Sequence, residues 1–367
     1  MRTLLAAAVA LVVAPLCSSF HVSAQSQPSG GDGTIYIGSY ARSLIVIDES
    51  TLEPRAEVPL RSGIPLGMAM NSAQTRFYVT DATFEQIEVV DIQSLESIDL
   101  FTLSRGDKKV RIWDFAVAPD DRYMVLLVKT YDKQIDRYDV GPPTLLRYDL
   151  QTHAVTDTIP WPEDQERDFM RMIFAPDGGS VYFFSDDLLV LETENFTEVD
   201  RWELDHALDA GMGRFSFGFP GTVYEEPGHY TGLFRTTDPI QNRRLMGVAR
   251  VNLDERDVDF YTLGPSEGVG FALAPDRTRA YGLRQAVGDY QLWTFDLEGR
   301  RVASKVNFDG RPRMNLNVST NGQLLYIANA GNTIDVYDAA SFQRLRTVEY
   351  EADMSTMVLL PRSIAGN

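Results

Sequence analysis

Thiols are almost absent from this sequence: Cys17 is the only cysteine among 367 residues. One cysteine excludes a disulfide framework, a cysteine-ligated zinc site and an iron–sulfur centre. Positive charge is under-represented, with 34 Lys and Arg against 52 Asp and Glu, a formal net charge of −18. Nucleic-acid binders draw affinity from basic side chains that neutralise phosphate, so nucleic acid is excluded as a partner. Catalytic motifs are scarce too: there is no HExxH, P-loop or Cys-x-x-Cys-His sequence. His153 falls in a turn, and His206 and His229 in loops without a nucleophile motif nearby, so no catalytic residue and no metal ligand is assigned. Long helical periodicity is lacking, 205–211 reading as one short turn at most. What is present is a hydrophobic content of 44%, which excludes a disordered chain. The length by itself predicts about two globular domains.

The first 24 residues have the form of a secretory signal peptide. Arg2 supplies a positive start, Leu4 to Leu16 an apolar run, and Val22-Ser23-Ala24 small residues at a cleavage site. The run is shorter than the about 20 residues of a membrane-spanning helix. Bulky Leu16 before Cys17 argues against a lipid anchor. The expected address is a bacterial periplasm, with 25–33 a flexible lead-in, 34–362 one folded domain and 363–367 a tail.

That domain is internally repetitive. A β-rich run ending in an acidic or amide residue closes at Asp48, Asp91, Asp149, Glu192, Asn252, Asp296 and Asp338, mostly 42 to 44 residues apart with two longer intervals. Seven copies at this period match a seven-bladed β-propeller, all-β, with four antiparallel strands per blade. A second motif sets the phase: an apolar strand, then a turn such as Pro119-Asp120, Pro176-Asp177, Pro275-Asp276 or Asn321-Gly322. With strands named A (innermost) to D, blades two to seven read as 66–103, 112–160, 169–204, 214–263, 268–307 and 313–350. Blade one has B, C and D within 34–60 but no A strand. The last apolar run, Met354 to Leu360, is predicted to pair with Ile35-Tyr36-Ile37 and close the ring. The seven acidic or amide residues are expected to cap C–D turns, since they lie in different blades and cannot converge on one ion.

Function is expected where D–A and B–C loops surround the channel. Basic residues precede most A strands there: Arg61, Lys108, Lys109, Arg111, Arg167, Arg171, Arg214, Arg311 and Arg313, with Glu267 breaking the pattern at blade six. They form either an anion or partner site, because a focused field steers association, or ion pairs to residues such as Asp107, Asp114, Asp168 and Asp309 that join blades. Blade three adds a B–C excursion, Thr130 to Thr144, with Tyr131, Arg137 and Tyr138 as docking candidates. Blade five adds Pro220 to Tyr230 on its A–B side and 238–242 between B and C.

Phe77-Tyr78-Val79-Thr80-Asp81 and Leu325-Tyr326-Ile327-Ala328-Asn329 resemble the Y-V-T-N-type propellers. The blade order, Val140-Gly141-Pro142-Pro143-Thr144 and the turn Asn317 to Gly322 resemble most closely the propeller (beta) subunit of quinohemoprotein amine dehydrogenases, and more distantly the methylamine dehydrogenase heavy subunit, across about 34–360. The resemblance implies a periplasmic scaffold that binds no cofactor itself. Partner subunits would carry the cysteine tryptophylquinone and c-type haem, and a primary amine would be oxidised at their interface. It places no catalytic role on any residue here. The alternative class is a stand-alone propeller, either a lactonase-like hydrolase or a binding protein.

Overall fold

The computed structural model describes residues 28–204, 215–218, 223–238 and 240–362. The signal segment, Cys17, the 205–211 turn with His206, Arg214, Pro220 and the 363–367 tail lie outside the described residues.

Seven antiparallel sheets make a seven-bladed β-propeller, joined among the described residues by a single short 3-10 turn at Pro162–Asp164. The two domains predicted from length are thus replaced by a single ring. It has no single core: seven buried clusters each fill one junction between neighbouring blades. Tyr78, Ile87, Val89 and Phe101 of blade 2, for example, pack on Val110, Ile112, Leu126 and Tyr148 of blade 3. Period-2 alternation explains this, since each central strand is covered on both faces and carries β-branched and aromatic residues throughout.

Ring closure follows the expected pairing. Met354–Leu360 lies antiparallel to Thr34–Ser39, with Ile35 opposite Leu359, Tyr36 opposite Val358 and Ile37 opposite Met357. A buried carboxylate locks the same seam on the A–B side. Glu49, 1% exposed, accepts from Gly33 N (2.7 Å), Thr320 N (2.9 Å) and the hydroxyls of Thr320 and Tyr326. Asn321 Nδ2 also donates to Ser29 O (2.7 Å). The stretch read as a flexible lead-in is therefore held against blades 1 and 7 from Ser29 onward.

The seven repeat residues are turn caps. Asp48, Asp91, Asp149 and Asp338 each accept the backbone N–H groups two and three residues on, as Asn252 does through Oδ1 and Glu192 through its carboxylate. Asp296 accepts from Gly299 N. Four residues after each cap the chain turns left-handed, at Leu52, Leu95, His153, Phe196, Arg256, Arg300 and Phe342. The cap holds a conformation that non-glycine residues otherwise avoid.

Blade 3 departs from the plan. Its A strand starts at Lys108, not 112, and runs to Val117 because the B strand extends to Lys133 and supplies partners as far as Lys108↔Asp132. Tyr138–Val140 folds back on Tyr131–Lys133 as a fifth strand. The B–C excursion is an ordered hairpin that continues the blade beyond the ring.

Candidate functional site at the D–A and B–C mouth

The two ends of the ring differ. At the A–B end, the insertion of blade 5 reaches across to the far blades. Tyr224 Oη donates to Val318 O of blade 7 (2.8 Å), Arg277 Nε of blade 6 donates to Tyr224 O (2.8 Å), and Arg277 pairs with Glu226. Val223 packs on the cluster between blades 1 and 2. A segment from blade 5 that touches blades 1, 2, 6 and 7 must cross the axis, so it covers this end. A cavity of about 420 Å³ remains beside it, bounded by Ser72, Gln74, Pro275 and Pro361. The insertion expected to be a docking or ligand loop thus has its described part turned inward, onto the ring itself.

The other end, among the described residues, carries exposed apolar side chains. Tyr40, Leu66, Trp113 and Phe169 are exposed around its mouth. Ile240 and Val287 project from the B–C turns of blades 5 and 6, and Ile135, Tyr138 and Val140 from the blade-3 hairpin, with Ile135 fully exposed. The other large apolar side chains exposed among the described residues, Ile98, Val155, Val199 and Val306, sit on outer D strands. The exposed large apolar side chains off the D strands thus lie at this end of the ring, among the described residues.

Its cations fall into two groups. Most are committed to carboxylates. Arg171, 4% exposed, holds Asp114 at 3.2 Å across the blade 3–4 junction and stacks over Phe169 (4.3 Å). Burial pushes the Asp114 carboxyl up to about 6 against the pull of Arg171, and burial likewise lowers the Arg171 guanidinium. Arg167 and Arg201 clasp opposite oxygens of Asp187 (3.1 and 3.0 Å). Lys109 reaches Glu85 (3.5 Å), and Lys129 reaches Asp168 (2.7 Å). The backbone N–H groups of Arg61 and Ser62 enter the buried Glu88 carboxylate. Burial raises Glu88, but the Ser97 hydroxyl and those amides outweigh it and leave the group below its usual range. Glu267 is gripped by Arg284 and Lys305.

The second group stands without a carboxylate. Arg311 and Arg313 are exposed on the loop into blade 7, with no ion pair among the described residues. Arg111 is half-buried, its guanidinium 4.8 Å over the Tyr131 ring, and its Nε is buried with no hydrogen-bond partner. On the hairpin, Arg137 binds Asp139 (2.8 Å) and Asp136 (3.5 Å), leaving Tyr138 exposed beside them.

Trp113, Phe84 and Phe169 escaped sequence reasoning. Trp113 lies in a run, Val110-Arg111-Ile112-Trp113-Asp114, that reads as strand core. A register shift between Ile112 and Asp114 takes it out of alternation, so it stacks on Phe84 (5.4 Å) at the mouth. Nothing in the local sequence announces that bulge. A groove of about 480 Å³ runs from this side toward blade 1, bounded by Arg42, Gly63, Asp81, Gln86 and Lys109. Among the described residues no three His, Cys, Asp or Glu side chains are grouped to hold a metal ion, and no helix is long and apolar enough to cross a membrane.

No family model and no curated protein sequence matches the chain. Solved structures do. The chain is similar to a functionally unknown protein from Desulfotomaculum acetoxidans (13% identity, TM-score 0.56, 90% of this chain and 99% of that one). It is similar to apo AztD from Citrobacter koseri (14%, 0.56, 89% and 98%). A third is the periplasmic gluconolactonase PpgL of Pseudomonas aeruginosa (14%, 0.52, 90% and 99%). At such identities the likeness is one of fold: these neighbours and this chain share the propeller.

Proposed function

We propose that this chain is a periplasmic propeller subunit whose D–A and B–C face docks the haem- and quinone-bearing subunits of an amine dehydrogenase. It shapes their interface while they oxidise a primary amine. The observation that carries the reading is the placement of exposed apolar side chains, most of them on the D–A and B–C face and on the blade-3 hairpin that rises from it. Protein interfaces enrich aromatic residues at their centre and keep charge at the rim. Here Trp113 and Phe169 stand near the axis, with paired cations around them. The signal-like start supports the periplasmic address, as does the periplasmic setting of one fold neighbour. The identity of the partners rests on the resemblance in blade order and hairpin sequence.

Substitution on the exposed hairpin tests it without touching a core. Ile135→Asp with Tyr138→Asp is expected to lower partner retention at least tenfold in native purification, because a charge cannot be buried unpaired. Ile98→Asp with Val199→Asp, on outer strands, is expected to leave retention unchanged. Equal retention in both variants overturns docking through this face.

A further inference from the structure

Of the mouth cations without a carboxylate, Arg111 is the half-buried one. On one face of the blade-3 extension, Lys109 stands opposite Tyr131 and Arg111 opposite Lys129 in the strand register. Lys109 and Lys129 have carboxylates, Glu85 at 3.5 Å and Asp168 at 2.7 Å. Arg111 has none among the described residues: its guanidinium lies over the face of Tyr131, and its Nε is buried without an acceptor. Buried donors are almost always satisfied, and charged ones most of all. In a chain of net charge −18, acidic side chains were plentiful enough to supply a partner. An arginine kept half-buried, stacked and unpaired is therefore set to receive an acceptor from outside.

We infer that Arg111 is a binding residue for a carboxylate monoanion, seated at the blade 3–4 side of the mouth with its apolar body against the neighbouring rings. Three features select this class. A guanidinium presents a planar fork that matches a carboxylate bidentately, and stacking on Tyr131 fixes the plane of that fork. The local excess is one positive charge, since the flanking lysines are already neutralised, so a monoanion balances it. Phe169, next to the Asp168 that holds Lys129 and stacked by Arg171, provides an exposed ring surface for an apolar or aromatic body.

The inference deepens the docking face proposed above and rests on the same mouth being functional. The carboxylate has two sources: a free organic acid, or a glutamate or aspartate presented by a protein. The isolated chain, labelled with nitrogen-15, would be titrated with phenylacetate, with the peptide acetyl-Gly-Glu-Gly-amide and with inorganic phosphate, while the arginine Nε–H signals are followed. The expected result is a saturable shift of the Arg111 signal, weakened several-fold by added salt and absent in Arg111→Gln. Arg111→Lys keeps the charge but not the fork, and is expected to bind at least tenfold more weakly than the native chain. Saturation by phenylacetate alone assigns a free acid, saturation by the peptide alone a protein side chain, and saturation by both the carboxylate class in general. No saturable shift, an equal response in Arg111→Gln, or preference for phosphate overturns the site. Melting of Arg111→Gln separates a structural role: a ligand-binding arginine leaves the melting temperature equal or raised, whereas a structural one lowers it. Because the titration needs no partner, its failure leaves hairpin docking standing. Colourless native material, conversely, leaves the carboxylate site standing.

Discussion

Asp114 and Arg171 show what pairing means at the mouth. Their contact at 3.2 Å joins blades 3 and 4, yet burial still holds the Asp114 carboxyl near about 6. A carboxyl raised above its unfolded value stabilises the fold fully only below that unfolded value. The contribution is lost as pH rises through about 6. Asp114→Asn keeps an oxygen for Arg171 and removes the ionisation. Its stability relative to the native chain is therefore expected to grow between pH 5 and pH 7.5, by on the order of 1–3 kcal/mol. Urea unfolding at the two pH values measures this, and a difference that does not change with pH contradicts it. Reversing Arg171 would consequently report on a buried pair as much as on a partner, which makes Arg111 and the hairpin the cleaner probes. Asp114 was nameable from sequence as an ion-pair candidate. Asp187 and Glu88 were not, because they come from other strands and turns 20 to 27 residues away, and only blade curvature brings them to Arg167 and Arg61.

Strands and turns were the more legible level. The seven C–D caps announce themselves because an Asp, Asn or Glu must stand at a fixed distance from a left-handed residue for the turn to close. The closing strand could be found by elimination, since blade one lacked an A strand and 354–360 had no blade. Less legible were events that break periodicity: the Trp113 bulge, and the inward course of Val223 to Glu226, whose partners lie in blades far along the chain. Deleting 354–367 tests closure. The strand buries Met354, Met357, Leu359 and Leu360, each at most 6% exposed. Burial of one such side chain stabilises by about 1.5–3 kcal/mol, against a typical net stability of about 5–15 kcal/mol. The truncated chain is expected to lose its cooperative transition or to melt more than about 10 °C lower, followed by circular dichroism. An unchanged melting temperature refutes closure by this strand.

As a whole, the molecule is a ring with one end crossed by its own insertion and, among the described residues, exposed apolar side chains at the other. The proposed reading is that this acidic ring, with most of its exposed apolar side chains at one end, is completed by partner subunits of the kind the resemblance implies. The alternatives, a lactonase-like hydrolase or a solitary binding protein, need no such completion. The deciding measurement is size-exclusion chromatography of the untagged chain from its native cells, with absorbance followed in the haem band. The account predicts co-elution with haem-bearing and quinone-bearing polypeptides at a mass well above that of this chain. Elution of the chain as a colourless monomer would contradict it.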